Sequence, residues 1–176
     1  MFLKVELVLI PSTKLTFDSE HLAELDIANA QFAIAAYING DIDDSFKYHA
    51  QNGTLYQYIE QQLGLEPKGG KQLMFRVAFD KAKTTTEFEN LRKLFPKFMQ
   101  WVDTYKQQYG YKMFSNLLQR KEAEIMIDGL LPFLINKGYE IFTVHDALRV
   151  KQSQKEEIRN FMQHYFDEIG FRCSIK

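Results

Sequence analysis

Glu140-Ile141-Phe142-Thr143-Val144-His145-Asp146-Ala147-Leu148-Arg149-Val150 is the stretch that decides the class of fold. Phe142, Val144, Leu148 and Val150 recur with period two around His145-Asp146, so two short strands are expected on either side of a tight turn. Upstream, Met113 to Asn136 has helical spacing, with Phe114, Leu117, Leu118, Ile125, Leu131 and Leu134 on its apolar positions. Pro132 should kink or end that helix. Downstream, Ser153 is placed to cap a last helix running to about Gly170, and Phe171 to Ile175 reads as a final strand.

The N-terminal third repeats this mixture. The first ten residues alternate like an edge hairpin, and a strand should end near Asp26 or Ile27, followed by a helix from about Asn29 to Gly40. Asp41 to Gly64 divides into two short helices at Asn52-Gly53. Gly69-Gly70 opens a helix to about Lys83, Thr84-Thr85-Thr86-Glu87 caps the next, and Phe95-Pro96 separates it from one running toward Gly110. Four to five strands and six or seven helices make an α+β fold, an antiparallel sheet backed by helices. No internal repeat, low-complexity tract or linker interrupts the chain.

The chain has 176 residues, 45% of them hydrophobic, enough for one domain with a sizeable core. Its single cysteine, Cys173, has no partner within the chain, which points to a reducing, cytoplasmic setting. No uncharged run approaches the roughly 18 residues of a membrane span. The net charge of −1 is a sum of unlike parts. Residues 1–66 carry 3 basic and 10 acidic side chains, residues 67–121 carry 12 and 4, and residues 122–176 carry 7 and 9. A basic middle segment of +8 is what a polyanionic partner would require, although a basic helix pair resting against an acidic remainder would give the same figures.

Asp26, at the end of one expected strand, and Asp146, in the turn between two others, are the acidic residues whose positions stand out. Two carboxylates brought together at adjacent strand ends repel unless cations neutralise them, which is how two-metal phosphoryl-transfer sites are built, with ions about 3.5–4 Å apart. Singly, each has an ordinary reading: turn chemistry for Asp146, a helix cap for Asp26. Signatures of other chemistries are missing. There is no His-Glu-x-x-His, no Cys-x-x-Cys, no nucleophile elbow, and Gly69-Gly70-Lys71 lacks the remainder of a phosphate-binding loop.

Leu25-Asp26-Ile27-Ala28-Asn29-Ala30-Gln31, then Lys71-x3-Phe75-x3-Phe79, then Val144-His145-Asp146 resemble, in that order, motifs A, B and C of family A DNA polymerases, closest to the compact kind carried by mobile elements and phages. The resemblance covers residues 15–176 and includes Leu117-Leu118-Gln119-Arg120-x-Glu122 on the helix before motif C. It implies an antiparallel palm from residues 1–66 and 112–176, with a small helical fingers insertion at 67–111 in a single compact domain. It also implies a DNA primer-template and nucleoside triphosphates as partners, no membrane, and Mg²⁺ or Mn²⁺ held by Asp26 and Asp146 as the catalytic pair. Lys71, Phe75, Phe79 and Gln31 would meet the nucleotide, with Lys71 on its phosphates. Gln119, His145, Lys68 and Arg76 would meet DNA. Periodicity alone favours a different reading, in which Phe75 and Phe79 belong to a core stripe. Trp101, Tyr105, Tyr109 and Tyr111 are candidate base-stacking surfaces.

Three departures give the alternative of a catalytically inactive, DNA-binding or replication-accessory protein with the same fold. Pro67 stands where relatives have a phosphate-binding arginine, Ala147 where many have a glutamate, and only 25 residues precede Asp26, too few for a thumb. A thumb would come from a partner chain or an N-terminal region outside this sequence. A His-Asp metal phosphohydrolase, suggested by His145-Asp146, would need the doublet on a helix.

Overall fold

The computed structural model describes residues 16–17, 20–81, 84–144 and 147–176. The fold is a helix-dominated α+β structure. Its small antiparallel sheet contains β2 (Glu20–Leu25), β4 (Ala147–Lys151) and β3 (Phe142–Val144) in that order, with the two-residue β1 (Thr16–Phe17) on the outer edge of β2. The expected hairpin in the first ten residues lies outside the described residues.

Register follows from which side chains must be buried. Ala23 pairs with Val150 and Leu25 with Leu148, all four buried, while Glu24 and Arg149 pair on the other face and form a salt bridge. Helix α9 (Lys155–Glu168) lies against β2 and β4 and presents Ile158, Met162 and Phe166, four residues apart, to the core.

Helix α1 (Ala30–Ile38) is apolar except at Gln31 and is correspondingly buried, with Phe32, Ala33, Ile34, Ala35 and Ala36 all in the core. Around it stand α2 (Asp44–Gln51), α3 (Leu55–Leu63), α4 (Gly69–Phe79), α5 (Thr86–Leu94), α6 (Pro96–Tyr109) and α7 (Tyr111–Ala123). The aromatic centre joins four of these elements: Phe46 of α2 stacks on Phe98 of α6 at 4.0 Å, and Phe32 of α1 and Phe114 of α7 meet Phe98 edge-on. Residues 67–111 therefore share one core with the rest of the chain.

The long helix before β3 has the extent read from its periodicity, but its geometry changes midway. Beyond α7 the backbone widens into a π-helical stretch, Glu124–Leu130, and returns to α-geometry in α8 (Leu131–Asn136). Pro132 has no N–H to offer and its ring crowds the carbonyl four residues back, and the wider turns absorb that mismatch.

Three expectations are corrected. Helix α4 stops at Phe79, not near Lys83, because Lys106 occupies its C-terminal carbonyls. Ser153 does not cap α9; a short 3₁₀ turn, Gln152–Gln154, leads into that helix, and the Ser153 N–H donates to the Glu20 carboxylate. Phe171 to Ile175 is not a full strand: it contributes one antiparallel bridge, Ile27 to Ile175. No helix among the described residues is long and apolar enough to cross a membrane.

Candidate functional site

Asp26 follows the last residue of β2 and is half-buried. Its junction is held from two sides. The C-terminal segment runs antiparallel to it, with the Lys176 N–H donating to the Asp26 carbonyl and the Ala28 N–H donating to the Ser174 carbonyl, each at 2.8 Å. On the other side the turn between α2 and α3 approaches so closely that a Cβ on Gly53 would lie 2.6 Å from that of Ala28. Asn29 then reverses the chain in a left-handed conformation, φ 53°, which asparagine tolerates better than other non-glycine residues, and α1 begins. Tyr56 of α3 shares this neighbourhood: burial, then the Asp26 charge, push its hydroxyl well above the usual phenol range.

His145 and Asp146 lie outside the described residues, and with them the Asp26–Asp146 pair. The strands that flank them are described. Val144 pairs with Ala147, leaving only those two residues between β3 and β4, so β-structure surrounds the doublet. Since Leu25 pairs with Leu148, the next residues outward, Asp26 just past β2 and Ala147 on β4, lie at the same end of the sheet. Among the described residues no group of three or more His, Cys, Asp or Glu side chains is placed to hold a metal ion.

Beside this end of the sheet is a cleft of about 560 Å³. Gln31 of α1 lines it, as do Phe75 and Phe79 of α4, Gln119 of α7, and Thr143, Ala147 and Leu148 from β3 and β4. One side chain or more from each of the three sequence motifs, or from the strands carrying it, therefore borders a single space. Glu122, Ala123, Met126 and Ile127 complete the lining. Met126 and Ile127 belong to the π-helical stretch, a location no periodicity argument assigns.

The two readings of α4 separate clearly. Its core stripe is Leu73, Met74, Val77 and Ala78, and Gly70 lets its first turn approach the backbone of Tyr56. Phe75 is 40% exposed and stacks on half-buried Phe79 at 5.6 Å, so these rings form an aromatic wall of the cleft. Lys71, one turn earlier, carries its ammonium 5.5 Å from the Phe75 ring. Gln31 donates from Nε2 to the Glu122 carboxylate at 3.3 Å, tying α1 to α7 across the cleft, while its buried Oε1 has no hydrogen bond among the described residues.

Asp26, Lys71, Lys68 and Arg76 are not among the residues that line this cleft. Lys68 precedes α4 in a left-handed conformation, φ 71°, and is exposed. Arg76 pairs with Glu87 at 2.7 Å over the Phe88 ring and borders a separate groove. Much of the basic middle segment is engaged elsewhere: Arg92 with Glu89 and Asp103, Lys97 with Asp41, Lys121 with Glu124. Trp101 and Tyr105 pack on Phe114 rather than lining a groove. Tyr56 gave no signal of a role in the sequence, since it sits on an ordinary amphipathic helix, and Glu122 was marked there only as the end of the run Leu117-Leu118-Gln119-Arg120-x-Glu122, with nothing to show that it meets Gln31.

No model of a known protein family matches the sequence, and no curated protein matches it.

Proposed function

We propose that this chain is the palm and fingers module of a template-directed DNA polymerase. The observation that supports this reading is the common cleft: Gln31, Phe75, Phe79, Gln119 and the strands flanking His145-Asp146 border one space beside the end of the sheet where Asp26 stands. An exposed, stacked aromatic pair with a lysine one turn away suits a nucleotide, the rings taking base and sugar and the ammonium the phosphates. Asp26, a half-buried carboxylate on a braced strand end, suits one half of a metal-binding pair whose other member is Asp146. Mg²⁺ bound there would lower the pKa of the primer hydroxyl and stabilise charge on the leaving pyrophosphate. The chain's own side chains would orient the substrates: Gln31 beside the sugar, held by Glu122, and Gln119 toward the duplex.

A non-catalytic, DNA-binding relative of such an enzyme is favoured by one observation. Ala147, on the wall of the cleft, stands where an acidic side chain would assist the pair, and its methyl group supplies no carboxylate.

Primer extension with Mg²⁺ or Mn²⁺ tests the first reading. Incorporation abolished by both Asp26→Ala and Asp146→Ala supports it, whereas activity surviving both substitutions refutes the site. Salt-dependent DNA binding without incorporation supports the second reading. Absence of DNA binding at low salt refutes both.

A further inference from the structure

Next to the cleft lies a second groove, of about 660 Å³, which shares Phe79 and Gln119 with it and is lined also by Tyr111. The two adjoin at Phe79, the last residue of α4, and Gln119 of α7. The second groove has its own chemistry. Tyr111 is half-buried at the start of α7, and the ammonium groups of Lys81 and Lys112 lie 5.5 and 5.9 Å from its ring. Both lysines are exposed, and neither is paired with a carboxylate among the described residues, unlike Arg76, Arg92, Lys97 and Lys121. Two exposed cations of the basic segment are thus gathered at an aromatic ring in the lining of this groove. Asp80, Ser115 and Asn116 also line it, the Ser115 hydroxyl donating to the Lys112 carbonyl at 2.9 Å.

A ring flanked by two exposed lysines fits a chain whose flat bases stack and whose phosphates repeat. A duplex hides its bases from such a ring, so the fit is to a single strand. We infer that the groove at Tyr111 binds single-stranded nucleic acid, Tyr111 stacking on a base while Lys81 and Lys112 meet the adjoining phosphates. The inference rests on the polynucleotide reading above and extends it to a strand path outside the cleft, but binding here needs neither metal nor nucleotide.

The test is fluorescence anisotropy of a labelled short oligothymidylate and of a matched duplex with the full chain, over a range of salt concentrations and without divalent cations. The single strand is expected to bind more tightly than the duplex. Tyr111→Ala should weaken it about tenfold, whereas Tyr111→Phe keeps the platform and the affinity. Lys81→Gln with Lys112→Gln should lower the slope of log affinity against log salt by about 1.4, since each phosphate contact on a single strand contributes about 0.7. Circular dichroism establishes that each variant is folded, and the lysine pair, being exposed, keeps the test alive if Tyr111→Ala is not. Preference for the duplex, or wild-type affinity and salt slope in the variants, overturns the inference. Tyr111-dependent binding without primer extension removes the polymerase reading and leaves this groove standing; extension with a Tyr111→Ala variant that binds as wild type removes only the groove.

Discussion

Lys106 is the buried cation of α6, 7% exposed, and its ammonium donates to the Val77 carbonyl at 2.6 Å and to the Asp80 carbonyl at 2.5 Å. Those acceptors close the C-terminal end of α4, the helix that carries Phe75 and Phe79. A cation there also meets the negative end of the helix dipole. Lys106→Met keeps most of the side-chain volume and removes both donors. Two charge-assisted bonds are worth roughly 1.5–3 kcal/mol each. Burial of the ammonium opposes them, and it is the leading cause that lowers the Lys106 pKa from its ordinary value. A net loss of about 2–3 kcal/mol is expected, a fall in Tm of roughly 4–12 °C for a chain of this size. Urea and thermal unfolding measure it, and hydrogen exchange should show the loss concentrated in the last turn of α4. The pH dependence supplies a second readout. Because the folded-state pKa lies below the ordinary 10.5, the unfolded chain holds its proton longer. Wild-type stability therefore gains as pH rises from the lowered value through 10.5, is lost again on descending through that interval, and the variant lacks the gain. A Lys106→Met protein as stable as wild type, with α4 amides equally protected, would refute the clamp.

Gly53→Ala should cost about 2–4 kcal/mol in urea unfolding, because φ is +73° and the new methyl would press on Ala28 at the Asp26 junction; a cost near zero would mean that this junction is not braced by the turn. His49 stacks on Tyr58 at 3.9 Å and burial lowers its pKa, so its contribution is complete above pH 6.5 and is lost as pH falls through the lowered folded value; His49→Gln should flatten stability over that range, and an unchanged pH profile would exclude His49 as the source. Cys173 has its thiol pushed up to about 12, by burial first and the Asp167 charge second, so a thiol-specific reagent at pH 8 should label it slowly in the folded protein and rapidly in urea. Equal labelling rates would show that the C-terminal segment does not stay packed against its surroundings.

Much of the element order was legible from local rules. Asn52-Gly53 and Phe95-Pro96 separate helices as their backbone preferences require, and the period-two run around His145-Asp146 yields β3 and β4. Boundaries shifted where a distant residue intervened. Lys106 lies 26 residues from Asp80, yet it decides where α4 ends. Glu20 draws the Ser153 N–H across 133 positions of sequence and displaces the expected cap. Such contacts leave no periodic trace, because each is one side chain meeting one backbone group.

For the candidate site the division is similar. Spacing alone placed Lys71, Phe75 and Phe79 on one face of α4, since residues four apart on a helix must be neighbours. Whether that face was core or cleft depended on which other helices covered it. Packing of Leu73, Met74, Val77 and Ala78 against the core left the aromatic pair outside. The charge asymmetry was visible in composition, but only three-dimensional neighbours show which cations are spent. Arg92 finds carboxylates on its own helix and on α6, and Lys97 finds one in the connection before α2, while Lys81 and Lys112 meet at Tyr111 from separate parts of the chain. Local chemistry thus dictated the helices, the strands and the candidate residues, because backbone preference and periodicity act over a few positions. Convergence of Gln31, Phe79, Gln119 and Leu148 on one space came from burial of the shared aromatic core, which acts on the whole chain at once.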